Sequence, residues 1–384
     1  MSRLREALDN AAADAPALNL ADWAITSSRR RRKTRMAAGS AAMIGLAVLA
    51  GVVLGVFPGT GLLMADKAVV AVQTGKIADL PSRGVGPLSH AYRTFCLISG
   101  PIPPDCRNGE WRVVALSGET YHLPQALGTL GTKSGPKFYP LAISRDGRII
   151  AYYSRSAKTF KVRDLASGTE QTAPVAIAEA ELGGNAHLEL SDDGRYLAFT
   201  GYPSRKEDGL LIDMRARTTT PLPVGWDLRS IDGTTVTLAR YGRYGEKPGI
   251  WVMPLAGGGS PIPVDETYTR FSALAPNGAA VAALRRGQSL DSHDDTITVL
   301  DARTGKVKKT VTMRGLPKGS TTLTPGVWLS AAEVTLAALP SDRWNESRQI
   351  TYAVNVETGQ VRQLAVYHPQ NVMHLVIPGV PAAF

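Results

Sequence analysis

Apolar positions follow two different patterns along the chain. From Met36 to Ala65 thirty residues pass without one charge, and their centre, Ala41–Phe57, reads AAMIGLAVLAGVVLGVF. A helix over Ala37–Phe57 would be roughly 30 Å long, the thickness of a bilayer's hydrocarbon core. Pro58 and the Gly59-Thr60-Gly61 that follows supply its end. A helix buried in a globular core seldom runs this long without a polar stripe, so residues 36–58 are predicted to be a transmembrane signal anchor. After residue 66 the pattern changes to apolar runs of strand length, separated by Gly, Asp, Asn and Pro. Short strands joined by tight turns are the expectation there.

Those runs repeat. SRDGRIIAYYS (Ser144–Ser154) leads to FKVRDLASGTEQTAP (Phe160–Pro174), and SDDGRYLAFTG (Ser191–Gly201) leads to GLLIDMRARTTTPLP (Gly209–Pro223). Each reads strand, Asp-Gly turn, apolar strand, loop, second apolar strand, tight turn and short outer strand. Gly147 and Gly194 lie 47 residues apart, a period suited to one four-stranded propeller blade. APNGAAVAALR (Ala275–Arg285) with ITVLDARTGKVKKTV (Ile297–Val311) is a third copy. The second half recurs more widely, at Val69–Pro81, Arg112–Pro124, Gly249–Val264 and Thr351–Val366 besides the three already quoted. Seven hairpins predict an all-β chain, a β-propeller of seven blades over residues 66–384, with six as the alternative. Asp164, Asp213, Asp301 and Asn355 end strands just before a turn, where a short polar side chain bonds the turn backbone, so they are read as structural. The segments near Gly233 and Ala331 look degenerate. Only one strand candidate, Asn371–Ile377, follows the last hairpin. The economical closure is a shared blade, with that strand inside and Val69–Pro81 outside; a six-bladed ring with an accessory hairpin is the alternative.

The pattern S-x-D-G-x-x-I/L-A-Y/F followed by D-x-x-T/S-G resembles the propeller repeats of TolB and related periplasmic proteins, and more loosely WD40 repeats. The resemblance spans about Val69–Val366 and is close over Ser144–Pro223. Trp226-Asp227 is not a WD40 signature, because it falls between blades. The resemblance implies a rigid ring that binds proteins or small ligands. TolB proteins also carry an N-terminal α/β domain, which this chain replaces with an anchor. The whole layout resembles membrane-anchored propellers of actinobacteria.

Charge sets the orientation. The formal net charge is +10, yet residues 1–35 hold eight Lys/Arg against four acids, and the densest run, RRRRKTR (Arg29–Arg35), abuts the apolar span. Basic flanks stay in the cytosol. The expectation is therefore a basic cytosolic tail (1–35) and an extracytoplasmic C-terminal region at the cell membrane, with no nucleic-acid partner. Cleavage is the rival to an anchor, but Leu62-Leu63-Met64-Ala65 lacks the small residues a peptidase wants. The tail holds two short helix candidates split at Ala15-Pro16. Its Leu20 and Trp23 either lie on the lipid interface or dock a cytosolic partner. Cys96 and Cys106, the only cysteines, are expected to form a disulfide in an oxidising compartment, against the alternative of two free thiols.

Candidate chemistry is sparse. GxSxG, HExxH and P-loop motifs are absent from the sequence, so no cofactor is expected. SLDSHDDT offers Asp291, His293, Asp294 and Asp295 as weak metal ligands, although such loops are usually just solvated. RYGRYGEKPGIW supplies Tyr241, Arg243, Tyr244 and Trp251 as ligand-rim candidates, and DRWNESR supplies Trp344. The function these features suggest is a membrane-tethered binding or scaffold module for a protein or small ligand. The alternatives are a propeller enzyme of lyase or hydrolase type, and a sensor that couples an external ligand to a cytosolic partner.

Overall fold

The computed structural model describes residues 77–94, 105, 107–132, 135–182, 186–201, 209–241, 247–285, 295–317, 321–339, 349–367 and 372–379. In chain order the strands are β1 (Ala78–Asp79), β2 (Leu88–Thr94), β3 (Trp111–Ala115), β4 (Thr120–His122), β5 (Thr129–Thr132) and β6 (Gly135–Phe138). Then come β7 (Leu141–Ile143), β8 (Ile149–Ser154), β9 (Thr159–Asp164), β10 (Glu170–Thr172), β11 (His187–Leu190), β12 (Tyr196–Thr200), β13 (Gly209–Asp213) and β14 (Thr218–Leu222). They continue as β15 (Asp227–Asp232), β16 (Thr235–Arg240), β17 (Gly249–Pro254), β18 (Ile262–Pro263), β19 (Tyr268–Leu274), β20 (Ala280–Arg285), β21 (Thr296–Asp301) and β22 (Val307–Thr312). The last five are β23 (Thr321–Trp328), β24 (Glu333–Leu339), β25 (Gln349–Asn355), β26 (Val361–Tyr367) and β27 (Val372–Val376).

Strand pairing makes these a six-bladed β-propeller. Blades 2 to 6 are the four-stranded sheets β7–β10, β11–β14, β15–β18, β19–β22 and β23–β26. Blade 1 is the sheet β1-β4-β3-β2-β27, in which the C-terminal strand lies against β2. The first strand of each blade is innermost: β7 meets β11, β11 meets β15, β15 meets β19, β19 meets β23, and β27 meets β7. The ring therefore has six blades where seven second-half hairpins had predicted seven. Val69–Pro81 is the false member. Its described part contributes only β1, two residues lying parallel on β4. The inner strand does come from the C-terminus, as the shared-blade reading expected, but β2, β3 and β4 complete that blade. An extra hairpin, β5–β6, fills the connection from blade 1 to blade 2.

Burial explains the pattern along each repeat. The middle strands pack on neighbouring blades through both faces, so β8 (IIAYYS) is almost wholly buried, while the outer strand β10 (EQT) is exposed throughout. Each interface between blades owns an apolar cluster. Trp111, Leu141 and Tyr152 belong to the one between blades 1 and 2, and Tyr153, Phe160 and Phe199 to the one between 2 and 3. Leu211, Trp226 and Leu238 fill 3–4, Phe271 and Leu300 fill 4–5, and Trp328 and Leu336 fill 5–6. The closing interface, 6–1, is the thinnest among the described residues: Ala337 and Ile377, with Tyr367 and Leu375 partly buried against them.

The repeat's polar residues hold its turns. Ser144 Oγ donates to Asp146 Oδ1 at 2.7 Å and accepts from the Ile149 N–H at 3.0 Å; Ser191 and Asp193 repeat the arrangement at 2.6 Å, with Tyr196 N–H at 2.9 Å. In the second turn Asp213, Asp301 and Asn355 each accept from two successive backbone N–H groups, and Asp164 accepts from that of Ser167. Asp213 also accepts both arms of Arg195, at 2.8 and 3.2 Å, and this pair pulls its carboxyl down to about 2. The turn ends on a glycine such as Gly359 (φ +76°), where a Cβ would collide with the Thr312 carbonyl oxygen of blade 5. Turn and blade docking are one feature there.

Residues 1–76, with the predicted anchor at 36–58 and the cytosolic tail, lie outside the described residues. Among the described residues no helix is long and apolar enough to cross a membrane.

Candidate functional site

Charged side chains gather where the inner strands of blades 2, 3 and 4 meet. In β11 the alternation puts Leu188 and Leu190 into the core between blades 2 and 3. His187 and Glu189 thereby face blade 4, and both stay half-buried. In β15 the pairing with β16 skips from Leu228 to Ser230, so Arg229 is the extra residue of a bulge. A bulge re-aims a side chain, and here it sets Arg229 beside His187 and Glu189. Arg229 is buried, at 5 % exposure, and its Nε and Nη2 have no hydrogen-bond partner among the described residues.

Burial dominates the titration of this group. It pushes the Glu189 carboxyl up to about 7, although Arg229 and then Arg145 pull the other way. It holds the His187 imidazole down to about 3, and Arg229 adds to that effect. Near neutral pH the cluster is cationic, with a neutral imidazole and a carboxyl that is partly protonated.

Arg145 closes one end of the group. It sits in the first turn of blade 2, its backbone N–H donates to Asp192 Oδ1 at 3.2 Å, and its guanidinium pairs with Asp232 of blade 4. Nε also lies 3.8 Å from Asp192 Oδ1. The Arg145 Cγ lies close to Gly379, beyond β27, and Val327 of β23 approaches the same glycine. Side chains from blades 2, 3, 4 and 6 thus converge at one mouth of the channel. From Arg145, Asp192 and Asp232 a cleft of about 810 Å³ runs outward past Thr235, Ser260 and Asn277, within the size range of ligand sites.

Of the residues singled out in the sequence, the structure describes Tyr241, Trp251 and Asp295. Arg243, Tyr244, Asp291, His293, Asp294, Trp344, Cys96 and Cys106 lie outside the described residues. Their segments connect the second and third strands of blades 1, 4, 5 and 6. Asp295 is exposed at the start of β21, its carbonyl accepting from the Met313 N–H at 2.7 Å. Tyr241 stacks on Phe271 at 5.8 Å. Trp251 meets Trp226 edge-on at 5.6 Å, and its Nε1 donates to the Gly258 carbonyl at 3.2 Å. Both rings serve packing in blades 4 and 5. Asp105, next to Cys106, accepts the Ile77 N–H at 2.8 Å. Glu189 and Arg229 went unread in the sequence. The available signal was a charged residue inside the first strand of a repeat, where the neighbouring copies carry apolar ones.

These observations define the chain as a β-propeller with a charged inner-strand site. No family model matches it, and no curated protein does. Among solved structures it is similar to TolB from Acinetobacter baumannii, at 18 % identity over 77 % of this chain and 67 % of that one, with a TM-score of 0.47. A putative TolB from Agrobacterium tumefaciens follows at 15 % identity, 74 % and 91 % coverage and a TM-score of 0.43. An oligogalacturonate lyase in complex with manganese matches at 14 % identity, 74 % and 75 % coverage and a TM-score of 0.40. The propeller expected from the repeat is present in the strand pairing itself.

Proposed function

We propose that this chain is a membrane-tethered, extracytoplasmic binding module that engages a protein or small ligand at the channel mouth, and is not an enzyme. The observation that supports this reading is the convergence of Arg145, Asp192 and Asp232 from three blades beside an 810 Å³ cleft. Asp232 serves both roles, bonded to Ser230 in its own turn and paired with Arg145 across the blades. The uncharged span after the basic tail supports the tether and its orientation.

Two measurements test the reading. A photo-crosslinking residue at Ser260, which lines the cleft, should capture a partner in the native cell, whereas one at Leu364, exposed on β26, should not. Equal capture at both positions, or none at either, rejects the mouth as the binding face. Alkaline phosphatase fused after Phe384 should be active, and a soluble form starting near Ala65–Lys67 would remove the tether.

A further inference from the structure

We propose that the seam between the inner strands of blades 3 and 4 binds the carboxylate of a small organic acid, gripped by the Nε–Nη2 edge of Arg229. The inference rests on the reading of the chain as a binding module and names a ligand class for its inner site. Nε and Nη2 form one flat edge of the guanidinium, the edge that matches a carboxylate's two oxygens with two parallel hydrogen bonds. In this structure that edge is buried and both nitrogens lack a partner among the described residues. A buried donor without an acceptor costs about 1–3 kcal/mol, and more when charged; Arg93 and Arg112 each bury one such nitrogen, but Arg229 is the arginine among the described residues with both nitrogens of one edge so placed.

Arg229 is the positive charge left to grip an anion, because Arg145 is already engaged with Asp192 and Asp232. Arg145 is the second positive charge near Glu189, and His187 contributes a neutral ring. The acidic groups nearby are Asp192 and Asp232, both facing Arg145, and Asp227 at the start of β15. The Glu189 side chain makes no hydrogen bond or ion pair among the described residues and is half-buried. Its carboxyl senses the Arg229 charge, so an incoming acid competes with it for the guanidinium. A protonated Glu189 repels that acid less than an ionised one, so binding should strengthen as pH falls through the Glu189 titration near 7.

The test uses the full chain in detergent micelles, titrated calorimetrically with acetate, succinate and citrate at fixed ionic strength, with phosphate as competitor. Saturable binding of one acid per chain is expected. It should weaken on the order of tenfold in Arg229→Lys, which keeps the charge and loses the flat edge, and vanish in Arg229→Gln. Glu189→Gln should bind equally at pH about 6 and about 8, where the parent prefers the lower value. If these variants fail to fold, protection of Arg229 in the parent chain from a dicarbonyl reagent by saturating acid replaces them. No binding at roughly 10 mM acid, undiminished binding in Arg229→Lys, no protection, or equal competition by phosphate would each overturn the site. Acid binding without a cross-link at Ser260 would fail the channel-mouth reading alone, and a cross-link without acid binding would fail this inference alone.

Discussion

Removing residues 368–384 should abolish ring closure and not merely fray an end. The deletion takes out β27, whose register on β2 comprises Ala91↔Val376, Tyr92↔Leu375, Arg93↔Met373 and Thr94↔Val372. Val376 is buried in the cluster between blades 1 and 2, and Ile377 in the cluster between blades 6 and 1. Two buried aliphatic side chains contribute about 3–6 kcal/mol together. A ladder of this length adds on the order of four hydrogen bonds at about 1 kcal/mol each. The loss is comparable with the whole net stability of a typical domain, about 5–15 kcal/mol, and it also bares the edge of β2. Scanning calorimetry of the full and the shortened chain, both in micelles, measures it. The expected result is a fall in Tm of about 10 °C or more, or no cooperative transition at all. A shortened chain melting within about 2 °C of the parent would refute the closure argument. Ile377→Ala is the milder version and should cost about 2–4 kcal/mol.

Gly359→Ala should destabilise by about 2 kcal/mol or more, because a positive φ and a clash with Thr312 act together; Gly233→Ala, with positive φ but open space, should cost clearly less by denaturant midpoint. Under the proposed extracytoplasmic placement the chain should show no thiol available to alkylation until it is reduced, since Cys96 and Cys106 are expected to pair; two free thiols in the intact mass would end that expectation. Burial holds His90 and His374 down to about 4 and His187 to about 3. Their neutral forms stabilise the fold fully above the unfolded value near 6.5, and that stability should be lost as pH falls from there toward 4. Glu189 runs oppositely: its raised value means the fold loses stability as pH rises from about 4.5 to 7. Glu189→Gln should therefore raise Tm above neutrality and steepen the acid limb, and an unchanged pH profile would contradict the Glu189 assignment.

Turn chemistry was the most legible part of the sequence because it is local. Ser144 and Asp146 specify their turn within six residues, and so do Asp301 and its glycine. Even the blade that looked degenerate near Gly233 keeps Ser230 two residues before Asp232, and the two are hydrogen-bonded. In blade 6, Ser330 does the same work, accepting from the Ala332 and Glu333 N–H groups. The number of blades was misread because Val69–Pro81 carries the same local signals as a true outer hairpin. Only the long-range pairing of β27 with β2 decides which hairpins enter the ring. Arg229 was illegible for a similar reason. Its direction depends on a bulge, and a bulge exists only in relation to the partner strand β16.

Blade 1 has a mechanical consequence. Its order, β1-β4-β3-β2-β27, puts the incoming chain on the outer rim and the outgoing chain beside the axis. A pull from the N-terminal side would first strip β1, two residues held in parallel pairing, and the ring would survive as a fuse survives a small overload. Among the described residues a pull from the C-terminal side meets no such sacrificial piece. It would draw β27 straight off β2, open the interface that is thinnest among the described residues, and unlatch the torus. The molecule is therefore suited to hang from its first strand and unsuited to bear load through its last.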